Sequence, residues 1–473
     1  SMALHLEEVS SSRPGQDDAR NAEHLDRAGD LERAGRFYLA AALQAVKVRG
    51  TVEAHRHLTR ALQLLPADAH EERYLARAER EQILRALGRR PLQLREIHRM
   101  RREATFLADK SREAQALTRL AQFYIDVGKS HAANQVLAEA LASAREAGKN
   151  LIEAEVLRVK AALMRATGQN EDALDLCERA LKLCGDDDAG KNERAQIANI
   201  RGTTLWNMSR LREALDAYGE ALAIYRKLDL PRQVARTHNN MGIVLSSLGE
   251  YEEALLHYKR AIKVDTRLGD RAAVGLMLGN MGQLYLDTGD LDRAERYLSK
   301  ALLRDERYAD GASRADATIS LGQVYLKRGD APRARTLLER GLQLATQVRS
   351  PYQEIRALIY LAQSQIETGD RPESALELAR SATKLAKAMP MPIAEVYGLT
   401  LEAYVSLRMG KHDEGLRKAR TALDLLDKTD NPDSIEEILY LQVRVARLAG
   451  QTEDMYALLE RAHREVQTKA QRF

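Results

Sequence analysis

The sequence predicts an all-α solenoid made of stacked antiparallel helix pairs. Three observations predict it. Turn-forming residues recur every 40 or 41 positions, at Gly88, Gly128, Gly168, Ser209, Gly249, Gly289, Gly329, Gly369, Gly410 and Gly450. Small residues recur in phase with them. The composition favours helix: alanine and leucine dominate the apolar residues, aromatics are 5%, and only 10 prolines interrupt 473 residues.

Along the chain, the leading Ser1-Met2 reads as an expression scar, and residues 1–18 read as a disordered lead-in. Residues 19–110 read as divergent helical repeats. Gly29, Ala34, Tyr38 and Ala41 fit one hairpin, but Gly88 follows Gly29 by 59 residues. An extra helix or helix pair, "TVEAHRHLTRALQLLP", is therefore inserted. Residues 111–465 form the regular array, and residues 466–473 a C-terminal tail.

Each regular unit carries three small residues. One lies seven positions before the turn: Ala121, Ala161, Gly202, Gly242, Gly282, Gly322, Ala362 and Ala403. A second follows the turn, from Ala133 to Ala375, and a third lies seven beyond it, as in Ala140, Ala261 and Gly341. Between these two sits a larger residue, such as Leu137, Cys177, Tyr218, Tyr258, Leu298 or Leu338. Spacings of three, four and seven put such residues on one helix face. Helix A then carries the first small residue and helix B the other two. One hairpin cannot bury its apolar face alone, so neighbours must stack. Toward the C-terminus Gly415 replaces the helix B alanine, and Val443 and Met455 replace the small residues of the last unit, as suits a capping repeat.

This pattern resembles the tetratricopeptide repeat, with Tyr124, Leu205, Leu245, Tyr285 and Tyr325 three positions after the small residue of helix A. The 40-residue period is similar to that of kinesin light chains and of some bacterial signalling ATPases. The N-terminal part resembles the start of the helical C-terminal region of large bacterial serine/threonine kinases and signalling ATPases. The resemblance implies a right-handed superhelical solenoid with a concave groove.

A mostly polar stripe on helix A is the candidate binding surface: Asn199, Thr203, Asn207; then Asn239, Ile243, Ser247; then Gly279, Gln283, Asp287; then Ile319, Gln323, Lys327. The resemblance places it on the groove. Asn199 and Asn239 are 40 apart, as are Asn240 and Asn280, so each pair is expected to stack between neighbouring repeats. An amide both donates and accepts, so it can grip a peptide backbone, or bridge neighbouring helices instead. Arg236 lies one turn before Asn240, as an anionic anchor or a solvated arginine.

Other features point away from chemistry. A chaperone-tail clamp is rejected, because Arg158 has only Ala162, Asn199 and Ile200 as companions. The segment "GDDDAGKN" (185–192) imitates a phosphate loop, but Asn192 replaces the hydroxyl residue and no strand precedes it. The basic run Arg85–Arg102 suits a solvated face or an acidic protein partner. His55 and His57 point to different faces and are poor co-ligands. Cys177 and Cys184 lie seven apart on one expected helix, too far to bridge.

The net charge of +4, from 73 basic and 69 acidic residues, implies no pull toward nucleic acid. No apolar run is long enough for a membrane span. No cofactor, metal or catalytic set is expected, and the setting expected is a reducing cytoplasm. The expected function is a non-enzymatic interaction scaffold, the regulatory region of a bacterial signalling protein. Its expected partner is a protein or peptide, a kinase or ATPase domain of the parent chain among the candidates. The alternative is a free-standing adaptor acting by edge docking or self-association.

Overall fold

The computed structural model describes residues 16–47, 50–305, 311–369, 371–389, 391–429 and 435–470. All regular structure among the described residues is α-helix, and the chain divides into two compact units, Ser1–Ile224 and Tyr225–Phe473. The first unit holds helices Gln16–Ala28, Leu31–Lys47, Thr51–Leu64, His70–Ala86, Arg90–Phe106, Lys110–Asp126, Ser130–Ala147, Asn150–Ala166, Asn170–Leu181 and Asp188–Asn207. Helix Leu211–Lys227 runs across the division. The second unit holds Pro231–Ser247, Tyr251–Arg267, Arg271–Asp287, Leu291–Asp305, Gly311–Lys327, Ala331–Gln347, Pro351–Thr368, Pro372–Ala388, Pro392–Arg408, His412–Leu426, Ile435–Leu448 and Thr452–Ala470.

Some expected boundaries move. The first helix begins at Gln16, so residues 16–18 of the expected lead-in are helical, while residues 1–15 lie outside the described residues. The last helix carries residues 466–470 of the expected tail. The insertion before Gly88 is a single helix, Thr51–Leu64. The compact units part at 224/225, inside the regular array expected over residues 111–465. Repeats contact their neighbours throughout an array, so irregular sequence and sparse contact need not coincide.

The turns explain the glycine period. Gly249 has φ +79°, its N–H donates to the Ser246 carbonyl at 3.0 Å, and the Glu250 N–H reaches the Leu245 carbonyl at 2.9 Å. This pairing satisfies carbonyls left over at the helix end, and it needs a left-handed residue. Every turn position named above is left-handed, Ser209 (φ +58°) included. A second series ends the B helices at Ala108, Gly148, Asp229, Gly269 and Arg349, with φ between +49° and +69°. Three of those five are not glycine, so this series is hard to read in the sequence.

Ser209 holds strain that a glycine would release. An L-residue in this region costs about 1–2 kcal/mol, and the added freedom of unfolded glycine costs about 0.4–1 kcal/mol. Ser209→Gly is expected to raise stability by about 1 kcal/mol. An unmoved or lower urea midpoint would count against this account.

Helix starts are equally legible. Pro231, Pro351, Pro372 and Pro392 occupy first turns, where the missing N–H does no harm. Asp109, Asp187, Asp270 and Asp330 accept backbone N–H groups as caps. Asp187 belongs to the phosphate-loop imitation, which is a connection from helix Asn170–Leu181 into helix Asp188–Asn207. Cys184 lies past the end of its expected helix. Burial pushes the Cys177 thiol up to about 12 and the Cys184 thiol up to about 11, so both are inert free thiols.

Helices A and B meet where a bulky residue covers a small one. A Cβ on Gly242 would stand 2.6 Å from Tyr258 Cε1, and one on Gly282 2.6 Å from Leu298 Cγ. Gly202 meets Tyr218 and Gly322 meets Leu338 in the same way. Where helix A carries Ala121 or Ala161, the clustered B residue is Leu137 or Cys177, so a leucine covers an alanine in one unit and a glycine in others. Glycine thus appears where the covering side chain leaves no room for a methyl.

Candidate partner-binding groove

The polar stripe divides into parts the fold uses and parts it leaves open. In the first unit, Asn199 is 6% exposed and donates Nδ2 to the Ala195 carbonyl at 3.2 Å. The Thr203 hydroxyl lies 2.9 Å from both the Asn199 carbonyl and the Tyr218 hydroxyl. Asn207 is exposed at its helix end. Arg158 is bound to Glu193 at 2.5 Å, which removes the charge a carboxylate clamp would need.

In the second unit, the expected neighbour of Asn280 is Asn240. Asn280 Nδ2 instead donates to Asn239 Oδ1 at 2.8 Å, 41 residues away, and Asn239 is 6% exposed. The position two before the small residue faces the preceding A helix. Ser320, at the same position of the next A helix, donates to Gln283 Oε1 at 2.6 Å. Asn239 and Asn280 therefore join neighbouring helices. Asn240 is half-buried and Arg236 exposed; neither has a hydrogen bond or ion pair among the described residues.

Gln283 also anchors the next repeats. Its Nε2 donates to Asp287 at 2.8 Å, and its Oε1 accepts from Arg356 at 3.4 Å. Arg356 also pairs with Asp316 and lies 3.3 Å from the Ser320 hydroxyl. Three successive A helices are tied by this chain.

The open part of the stripe begins at Gln323. Gln323 and Gln363 continue the position of Gln283 at 40-residue steps, each just after the small residue of helix A. They line a groove of about 640 Å³ together with Lys327, Tyr360, Glu367, Glu437, Tyr440 and Arg444. Gln323 is 4% exposed, and its Nε2 has no hydrogen-bond partner among the described residues. Lys327 pairs with Glu437 at 2.5 Å, and Arg444 with Glu367 at 2.6 Å. These two ion pairs cancel most of the groove's charge. The Tyr397 hydroxyl donates to Gln363 Oε1 at 3.2 Å, and lies 3.4 Å from Glu437. Burial, with Glu437 nearby, raises the pKa of Tyr360 and Tyr397, so both phenols stay protonated.

Leu459, Ala462, His463 and Val466 of the last helix close one end of the groove. Leu459 and Val466 of this helix, 47% and 49% exposed, border the groove. Gln363 was legible as a 40-residue step from Gln323. Tyr440, Arg444 and the terminal helix were not, because the last repeats lose the pattern.

Residues 154–368, just under half the chain, match the family model of the MalT-like TPR region. Over this stretch the repeats are similar to the tetratricopeptide type, and the chain is a tetratricopeptide-like helical scaffold. No curated protein sequence gives a significant match. Among solved structures, the apo form of the quorum sensor NprR from B. thuringiensis is similar, with TM-score 0.54 and 16% identity over 75% of this chain and 99% of that one. A Rap protein complexed with competence and sporulation factor gives 0.53 and 16% over 77% and 99%. A STAND signal-transduction ATPase with a tetratricopeptide repeat sensor, from Pyrococcus horikoshii, gives 0.52 and 17% over 77% and 55%, so the match spans about half of that protein. At these identities the likeness is one of fold. No helix among the described residues is long and apolar enough to cross a membrane.

Proposed function

We propose that the protein is a non-enzymatic scaffold of a bacterial signalling system, and that the groove of its second unit holds an extended segment of a partner protein. The unpartnered Gln323 amide carries this reading. A buried donor without a partner costs about 1–3 kcal/mol, which a bound carbonyl would return. The groove's near-neutral balance and its amides suit peptide backbone rather than a strongly charged ligand. The similar structures include a quorum sensor and a sensor-bearing ATPase, which supports the signalling reading. Of the stripe residues, Gln323 is the one that would make the contact, while Asn239 is spent on its hydrogen bond with Asn280.

A photo-crosslinking residue tests the proposal. Placed at Gln363 or Tyr440, it should trap the partner from native cytosol. Placed at Glu339, exposed on helix Ala331–Gln347, it should trap little. Equal trapping from Glu339 would sink the groove and favour docking along the outer surface.

A further inference from the structure

Arg99 and Arg102, at the end of the basic run, join arginines of the preceding helix around a second site. Helices Thr51–Leu64, His70–Ala86 and Arg90–Phe106 enclose a pocket of about 700 Å³ in the first unit. Two buried carboxylates hold its arginines, Glu103 in the lining and Glu96 behind the arginines that it binds, with side chains 8% and 1% exposed. Arg77 binds both, at 3.0 and 3.1 Å. Arg80 and Arg99 each reach Glu96 at 3.1 Å. Arg73 reaches Glu103 at 3.3 Å, and His70 Nδ1 lies 2.7 Å from it. Arg102 joins the lining and has no ion pair among the described residues.

Five guanidiniums thus line the pocket, four of them bound to the two carboxylates, an excess of three positive charges. The carboxylates hold the arginines in place without neutralising them. Arg80 Nε is buried and has no hydrogen-bond partner among the described residues. Burial lowers the Arg80 pKa, and the guanidiniums of Arg77, Arg99 and Arg95 add to the effect against Glu96. Such a site gains from an anion that accepts several N–H groups at once.

We propose that this pocket binds a small phosphate-bearing anion. Phosphate oxygens match the forked donors of clustered arginines, and three excess charges suit a short polyphosphate. The pocket volume lies in the range of small-molecule sites. Phe106, 70% exposed and stacked on His70 at 4.6 Å between centroids, offers a platform for a planar ring. Arg77 and Arg80, at the base, are reached more readily by a small ligand than by an acidic protein surface. The expected acidic partner is thereby replaced by a small anion.

The test is calorimetric titration of the full chain with tripolyphosphate, and separately with ATP, at low and raised salt. Saturable binding that weakens with salt is expected. Arg80→Gln should weaken it about tenfold or more. The exposed Arg102→Gln should weaken it several-fold with an unchanged melting temperature. Arg85→Gln, whose arginine pairs with Asp126 outside the pocket, should change nothing. Tighter ATP binding that Phe106→Ala abolishes would assign a nucleotide. Equal affinities would assign the phosphate chain alone. No saturable binding, an equal loss in Arg85→Gln, or tighter binding of a glutamate-rich peptide than of tripolyphosphate would overturn the proposal.

Discussion

Gly242→Val is expected to lower stability by about 3 kcal/mol, the upper end of what overpacking a tight core costs. Tyr258 is 2% exposed and lies against Gly242, with Ala254 and Ala261 of its own helix fully buried beside it. Tyr258 has nowhere to move without opening the hairpin. Gly242→Ala is a finer probe. It gains about 1 kcal/mol of helix propensity yet places a methyl 2.6 Å from the tyrosine ring, so the net change should still be destabilising. Tyr258→Leu added to Gly242→Ala should recover much of the loss, because Ala121 with Leu137 is a pairing the chain already uses. Urea denaturation of the four proteins measures the coupling. Strict additivity would show that the glycine is not there for the tyrosine.

The second large effect is on acid stability. His238 and His257 are 3% and 7% exposed, and their Nδ1 atoms lie 3.2 Å apart. Arg226 approaches His238 Nε2 at 3.3 Å. A guanidinium only donates, so Nε2 of His238 accepts and its Nδ1 carries the proton given to His257. Protonating His238 would break the contact with Arg226. Burial, then His257, Arg226 and Arg260, push the His238 pKa down to about 4. Burial also lowers the His257 pKa, with Arg260 adding to it and Glu253 opposing.

The unfolded chain takes up the His238 proton near pH 6.5, whereas the folded chain resists it until about pH 4. Stability is therefore full above the unfolded value and falls as the pH drops between the two. At 1.36 kcal/mol per unit, the loss across that window approaches about 3 kcal/mol. Hydrogen exchange of the amides in residues 231–267 should show this hairpin opening more easily at pH 4.5 than at pH 7. His238→Gln keeps an acceptor for Arg226 and should remove most of the dependence. An equally steep dependence in that variant would assign the acid sensitivity elsewhere.

The fold was legible because its organising constraints are local and repeated. A left-handed turn admits glycine more readily than other residues, and close helices admit only small side chains. Both demands recur with each repeat, so they write a period into the chain. The B-to-A turns were less visible because Ala108, Asp229 and Arg349 accept the left-handed conformation at some cost. The site was half legible. Gln323 was found by its place on helix A, and Gln363 follows from the same step. The asparagine ladder was misread by one residue, since the contact runs diagonally between neighbouring helices and a 40-residue alignment cannot show that.

By itself, then, the sequence determined the helix pairs, their order, their turns and the small-on-large contact within each. These depend on residues close together in the chain. The tertiary structure decided which polar groups are consumed and which remain open. Asn239 meets Asn280, Lys327 meets Glu437, and Arg77 meets both Glu96 and Glu103. Such pairings depend on how stacked repeats bring distant side chains together. A one-residue shift decides whether an amide is spent on a neighbour, as at Asn239, or has no side-chain partner among the described residues, as at Asn240.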